Sequence, residues 1–532
     1  MIGLLSLAKE PTPLYVVGAY FLLLIGLGFI TRMLYRGTAG DYFVASRSIG
    51  PFLLLMSVFG TTMTAFALVG STGKAYQAGI GVYGLMASSS GIIHSLVFFL
   101  IGIKLWAIGK RHDFLTQIQF FRARFDSVGL GYLLFPILVL LVIPYLLIGI
   151  LGAGAVMRGV TVGMFPDSFP GTLNETTGAY AFAGAVPPWL TGIAICGIVL
   201  FYIFTGGLRA AAWANAFQTI VFMITGVVAF WLISGKMGGF VAATEQVMKN
   251  APEYLSREGK IGHLQFLSYG LVPLSVGMFP HLFQHWLTAK NAKAFRLTSI
   301  CHPLFIMIVW VPCILIGVWA LGAGITAPGG NVNAVLAKVV QVTVADPFIT
   351  GLLTAGILAA IMSSLDSQFV CLGTIFTHDI VIQMTGENRF NDKQKVMLGR
   401  GFIVFIVALT YLLSLFPPPS IFDLAVWCFS GFAALFPLVV AAVYWRRATL
   451  AGAVACILTT VVTWSYFFYQ GLILPTLEGG KADGDYLVMG FMPVTFIFAA
   501  SAGALVLVSL VTSPPPASVV ERFMIPRGQS HA

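Results

Sequence analysis

The residues best suited to chemistry lie in one stretch, AAIMSSLDSQ at 359–368. On a helix, Ala360, Ser363 and Ser364 stand at i, i+3 and i+4 and share one face. Two hydroxyls beside a small residue suit a hard monovalent cation such as Na+, since hard cations take oxygen ligands. The small Ala360 lets a neighbour's carbonyls come close. The same pattern also serves ordinary serine-mediated packing between membrane helices. Asp366 follows Ser364 by two and points away from the Ala360 face. It is the carboxylate placed well inside an apolar run, where an ionisable group is functional or paired. Either a place on an inner exit route or a bond to a polar neighbour such as Asn215 would account for it.

Two further segments carry the signs of a broken helix. SVFGTTMTAFALVGSTG at 57–73 holds Gly60 and the threonines Thr61, Thr62 and Thr64. SYGLVPLSVGMFP at 268–280 holds Gly270, Pro273, Gly277 and Pro280. A proline removes a backbone donor and frees carbonyls one turn earlier. A Gly/Thr packing face and a plain proline kink are the bland alternatives. Their positions add information. One segment opens a group of five apolar spans and the other opens the next five. Five is odd, so the second group enters the membrane from the opposite side. Broken helices at equivalent places in inverted repeats point to a binding site at mid-membrane.

The elements that hold these residues must be membrane helices. The chain has 532 residues, 58% hydrophobic and 9% charged, against about 25% charged in soluble domains. Long apolar runs rather than alternating ten-residue segments exclude a barrel. Thirteen spans are expected, near 13–34, 50–73, 79–107, 128–156, 187–206, 209–234, 264–289, 299–323, 347–379, 394–415, 420–445, 449–472 and 487–512. With the N-terminus outside, 20 of the 29 lysines and arginines fall on the inner side, Arg36 and Arg527 among them. The positive-inside rule then places the C-terminus in the cytoplasm of a bacterial-type inner membrane. The net charge of +10 reflects this loop distribution, not nucleic-acid binding. The six cysteines are widely spaced and read as buried small hydrophobes. Met1–Pro11 lacks the marks of a cleavable signal. The outer segment 235–263 reads as a surface helix, with Phe240, Val241, Val247 and Met248 on its apolar face. The Pro/Ser-rich tail from Pro514 reads as disordered.

With these residues in hand, the chain resembles the sodium:solute symporter family over about Asp41 to Gly452. DYFVASRSIGPF at 41–52, TQIQFFRARF at 116–125 and TGGLRAAAWANAFQ at 205–218 carry the likeness in the first half. FPHLFQHWLTAKNAKAFR at 279–296, AAIMSSLDSQ and SGFAALFPLVVAAVYWRRATLAGA at 430–453 carry it in the second. The resemblance implies an all-α membrane fold of two inverted five-helix repeats, 50–234 and 264–446. A leading helix with its inner loop occupies 1–49, the outer loop 235–263, two trailing helices 447–513 and a tail 514–532. It implies a sodium site made by the carbonyls of Gly60, Met63 and Ala360 and the hydroxyls of Ser363 and Ser364. It implies a solute site drawn from Thr62, Phe66, Ala67, Ser88, His94, Tyr269 and Ser275. Two residues depart from the family's pattern: Asn215 where an acidic residue is common, and His285 where arginine is common. The polar side chains of the sugar-binding members are not evident, so a monocarboxylate or amino acid is preferred, its carboxylate held at a half-helix N-terminus.

The expectation is therefore a sodium-coupled symporter of a small organic solute that uses no organic cofactor. Proton coupling through Asp366 on the same fold is the alternative. An enzyme is disfavoured, since no loop is long enough for a soluble catalytic domain. His281 and His285 stand at i, i+4, a zinc-compatible spacing, but HLFQH lacks the glutamate of HExxH. No P-loop argues for a primary pump. No repeated filter or charged ring argues for a channel. The tail is too short for a sensor's signalling domain.

Overall fold

A computed structural model describes residues 10–34, 37–173, 180–344, 346–416, 420–477 and 486–524. Arg36, Arg527 and the stretch 1–9 lie outside these. The described chain is almost wholly helical. A two-residue antiparallel pair, Thr172–Leu173 with Tyr180–Ala181, is confined to one loop. In a bilayer a helix satisfies its own backbone groups, so long apolar sequence resolves into helices.

The order is α1 Thr12–Leu34, α2 Ala39–Val44, α3 Pro51–Thr62 and α4 Phe66–Ala78. Then come α5 Tyr83–Arg111, α6 Gln117–Phe125, α7 Val128–Val160, α8 Pro188–Lys236 and α9 Gly239–Asn250. The second half runs α10 His263–Gly277, α11 Pro280–Thr288, α12 Ala294–Gly322, α13 Val332–Thr343 and α14 Pro347–Thr385. It closes with α15 Asp392–Ser414, α16 Ile421–Tyr444, α17 Leu450–Leu477, α18 Pro493–Val511 and α19 Ala517–Phe523.

Among the described residues, ten helices are long and apolar enough to cross a membrane, or twelve if each bent pair is one span. The bent pairs are α3 with α4, at 57°, and α10 with α11, at 48°. The expected thirteenth span depends on reading α8 as two. At 49 residues it would be roughly 74 Å long at 1.5 Å per residue, far beyond a bilayer core of about 30 Å. Its helix is broken at Gly207, where φ is +56° and ψ is −139°. Only glycine enters that region without strain, so α8 is kinked there, between Tyr202 and Arg209.

Burial sorts the helices into centre and rim. In their apolar windows, 78% of α14 and of α16 is buried, against 28% of α1 and of α18. Side chains such as Leu22, Leu23, Trp231 and Leu507 are exposed, as lipid-facing positions are. The serine-rich stretch of α14 therefore runs through the middle of the molecule. Internal prolines in α7 (Pro136, Pro144) and α12 (Pro303, Pro312) are tolerated, since neighbours re-satisfy freed carbonyls in membrane helices.

Two expectations are corrected. The tail beyond Pro514 is not wholly irregular. Helix α19 buries Val519, Val520 and Phe523, and Phe523 stacks on His112 at 5.0 Å. A composition rich in proline and serine concealed one apolar turn with a partner. Helix α9 forms as expected, but its inward face is Ala243 and Val247. Phe240, Val241 and Met248 are exposed, with Phe240 edge-on to Trp319 at 5.4 Å. Of the four expected apolar contacts Val247 is buried, and the small Ala243 takes the place beside it.

Candidate functional site

Helix α3 ends at Thr62. Met63 follows with extended backbone, φ −89° and ψ 99°. Thr64 then caps the next turn, its hydroxyl accepting from Phe66 N at 3.1 Å, as an N-cap threonine does. The last carbonyls of a helix have no partner within it. Here one of them is met from across the core: Ser363 Oγ donates to Gly60 O at 2.8 Å, and lies 2.8 Å from Ala360 O. Gly60, Ala360 and Ser363 thus meet at one point, between the first break and the central helix. The break reaches this depth because α7 presents Gly152, where an added Cβ would lie 2.3 Å from Ala65 Cβ. Met63 is buried at the break but bonds only back to Phe59 O at 3.0 Å. Ser364 Oγ bonds to Ile361 O of its own helix at 2.9 Å. Neither joins the Gly60–Ala360–Ser363 group by a hydrogen bond.

The structure joins Asn215 and Asp366, expected near a pathway, behind this point. Asp366 is fully buried and accepts from Tyr202 OH at 3.1 Å and Ser367 Oγ at 3.1 Å. The Asn215 amide is best satisfied with its nitrogen toward Asp366. It then donates to Asp366 Oδ2 at 2.9 Å and to Ser363 O at 2.9 Å, and its oxygen lies 2.8 Å from Ser367 Oγ, whose single proton it shares with Asp366. His285 Nε2 lies 2.9 Å from Ser367 Oγ. Thus α8, α11 and α14 share one polar network. It touches the backbone of Ser363, although Asp366 itself faces away from Ala360. A buried carboxylate with three donors is a satisfied group.

The solute candidates scatter more. Phe66 stands in an aromatic group, 5.2 Å from Phe422 and 5.2 Å from Phe429. Tyr145 of α7 and Phe279, between the second pair of half-helices, close the same group; they stack at 5.3 Å and lie 5.2 and 5.5 Å from Phe429. The rings therefore link both breaks. Thr62 Oγ1 bonds back to Phe59 O at 2.8 Å, and Ala67, Tyr269 and Ser275 are buried. His94 pairs with His302 at 3.1 Å between α5 and α12. Ser88 is exposed, with its hydroxyl turned to Gly84 O at 2.5 Å; no described contact joins it to the rings. Sequence reasoning missed Tyr145, Phe279 and Phe429, since an aromatic residue in an apolar helix carries no mark of its own. Phe279 had one available signal, its place directly before Pro280.

His281 and His285 do not act as a pair. His285 serves the Ser367 network. His281 stacks on Phe279 at 5.2 Å and lies 5.6 Å from Tyr145. Both its ring nitrogens are buried without a partner. No group of three or more metal-binding side chains occurs among the described residues.

The loop around α2, 37–50, packs against α8 and α11. Asp41 is fully buried and meets Arg209 Nη2 at 2.5 Å. Arg209 also donates to Ala45 O at 3.1 Å. Phe43 O accepts from Gln284 Nε2 at 2.6 Å, and Ile49 exchanges backbone bonds of 3.0 and 2.9 Å with Thr288 and Lys290. Arg47 pairs with Asp113 at 2.9 Å. This loop therefore ties the base of α3 to α8 and to the end of α11.

Comparison with known proteins agrees with this arrangement. Sodium/proline symporters of Staphylococcus aureus strains are 26% identical over 468 residues, covering 84% of this chain and 85% of theirs. The solved structure of a substrate-bound, outward-open Na+-coupled sialic acid symporter superposes with a TM-score of 0.70 at 16% identity, covering 94% of this chain and 98% of that one. A nucleobase-cation-symport-1 family transporter in a closed conformation superposes with a TM-score of 0.52 at 14% identity, covering 91% and 97%. At these identities the two structures speak to the fold alone. The profile of the sodium:solute symporter family matches residues 42–165 and 189–460, and the chain belongs to that family of membrane transporters.

Proposed function

We propose that the protein is a sodium-coupled symporter of a small organic solute, working by alternating access. The observation that carries the reading is the meeting of Gly60 O, Ala360 O and Ser363 Oγ. A helix-end carbonyl at the first break thus faces a hydroxyl of α14, which supports an arrangement in which unwound backbone holds Na+ in transporters. In this reading Na+ is a co-substrate. Gly60, Met63 and Ala360 supply carbonyls, and Ser363 and Ser364 supply hydroxyls after a turn of the Ser364 side chain. The two repeats are 50–234 and 264–446. The N-terminus faces outside and the C-terminus the cytoplasm.

The solute would lie among Phe66, Tyr145, Phe279 and Phe429. An aromatic enclosure with few polar groups suits a small, partly apolar molecule. His281 supplies what such a site needs, a buried imidazole with no protein partner. Leaving it unpaired costs on the order of 1–3 kcal/mol, which a solute carboxylate would recover. A monocarboxylate or amino acid fits this chemistry, and the likeness to sodium/proline symporters favours the same class. The test is uptake by purified protein in proteoliposomes. Proline and small carboxylates should accumulate under an inward sodium gradient and not under potassium alone. Accumulation of none of them, or equal uptake without sodium, would overturn the reading.

Asp366 separates sodium from proton coupling. Its three donors make it a strut between α8 and α14. Asp366→Asn should lower uptake only partly and leave sodium dependence intact. If it abolished uptake in a folded protein whose wild type follows a proton gradient, Asp366 would be the proton carrier instead.

A further inference from the structure

A groove of about 680 Å³ opens on the surface where α1, α8 and α15 meet, lined by Arg32, Leu200, Phe201, Phe204, Thr205 and Arg400. Its volume lies in the range of small-molecule sites. No carboxylate lines it, and among the described residues neither arginine has an ion-pair partner. Arg400 is held in place: one guanidinium nitrogen donates to Phe204 O, and the group lies 5.5 Å from the rings of Tyr42 and Phe204. Its Nε is buried with no partner. Arg32 is exposed in the last turn of α1. Phe29 packs edge-on against Phe201 at 5.2 Å, extending the apolar wall from the groove toward the exposed Leu22 and Leu23.

Two cations at helix ends that the proposed orientation puts on the cytoplasmic side, above an apolar wall, match one chemistry. A phosphodiester would take the free guanidinium donors, and acyl chains would lie along Leu200 and Phe201. We propose that this groove binds the headgroup of an anionic phospholipid of the inner leaflet. Basic pockets between helices on the cytoplasmic side bind such headgroups. A free phosphate would share the headgroup contacts but gain nothing from the wall.

The test uses the full-length protein in phosphatidylcholine vesicles with and without phosphatidylglycerol, with bound lipid counted by native mass spectrometry. Wild type should retain phosphatidylglycerol over phosphatidylcholine. Arg32→Gln and Arg400→Gln should each weaken retention about five-fold, the worth of one arginine near an anionic surface. Inorganic phosphate and glycerol phosphate should not compete. Arg32→Gln is decisive, because this exposed side chain makes no described internal bond and its loss should leave the fold intact. Unchanged retention in Arg32→Gln would overturn the proposal. Displacement of the lipid by inorganic phosphate would overturn it in favour of a free-anion site.

Discussion

Arg209→Ala is expected to destabilise the protein by about 3–5 kcal/mol, the cost of stranding one member of a buried ion pair. Asp41 is fully buried and Arg209 nearly so, with side-chain exposures of 0% and 13%. Removing the guanidinium takes away the Nε and Nη2 donors that grip the Asp41 carboxylate, while Ser46 Oγ stays at 2.8 Å. It also removes the Arg209 bond to Ala45 O, so the 37–50 loop is held less firmly to α8. Thermal unfolding in detergent should show a midpoint several degrees lower. Arg209→Ala combined with Asp41→Asn should recover part of the loss, because no bare charge then remains buried. If the double variant were as unstable as the sum of the singles, the pair would not be the source.

Gly207→Ala should be as damaging, for a different reason. The backbone there stands at φ +56°, which costs a non-glycine residue about 1–3 kcal/mol. An added Cβ would also lie 2.4 Å from Tyr42 O and 2.6 Å from its ring. The first of these is backbone and cannot swing away. The kink of α8 and the loop that carries Tyr42 would have to part. A much reduced yield of monodisperse protein is expected. Gly226→Ala, on a helical stretch with nothing within 4 Å of its Cβ, is the control. It should be neutral or gain a few tenths of a kcal/mol from helix propensity. Equal behaviour of the two variants would contradict the strained-turn account.

Much of the architecture was legible before any coordinates. Apolar runs and basic loops outline the spans, since the bilayer leaves few alternatives for a polar backbone. Both broken helices were marked by their own residues: Gly60 with three threonines, and Pro273 with Pro280. The i, i+3 spacing of Ala360 and Ser363 pointed to one face, and the structure brings that face to Gly60. What the sequence could not display were relations between separate helices. Nothing in HLFQH distinguishes His285, bonded to Ser367, from His281, left unpaired among rings. Tyr145, Phe279 and Phe429 come from three distant segments. Ser88 shares a helix with His94, but spacing alone did not tell which side faces lipid. The two-arginine groove is likewise invisible in one dimension, since Arg32 and Arg400 lie far apart in the chain.

The central claim is that Na+ binds where Gly60, Ala360 and Ser363 meet and so couples the first break to α14. An ion there stabilises one conformation, and the solute favours the same one. Losing a hydroxyl ligand should cost on the order of 1–3 kcal/mol, or roughly 5- to 150-fold in sodium affinity. The most direct measurement is solute uptake against sodium concentration for wild type, Ser363→Ala, Ser363→Thr and Ser364→Ala. The account predicts that both alanine variants need more sodium for half-maximal uptake, and that high sodium restores solute affinity. Ser363→Thr, which keeps the hydroxyl, should be mild. If the alanine variants keep the wild-type sodium dependence and threonine does the greater harm, these serines only pack helices together, and the proposed coupling site is wrong.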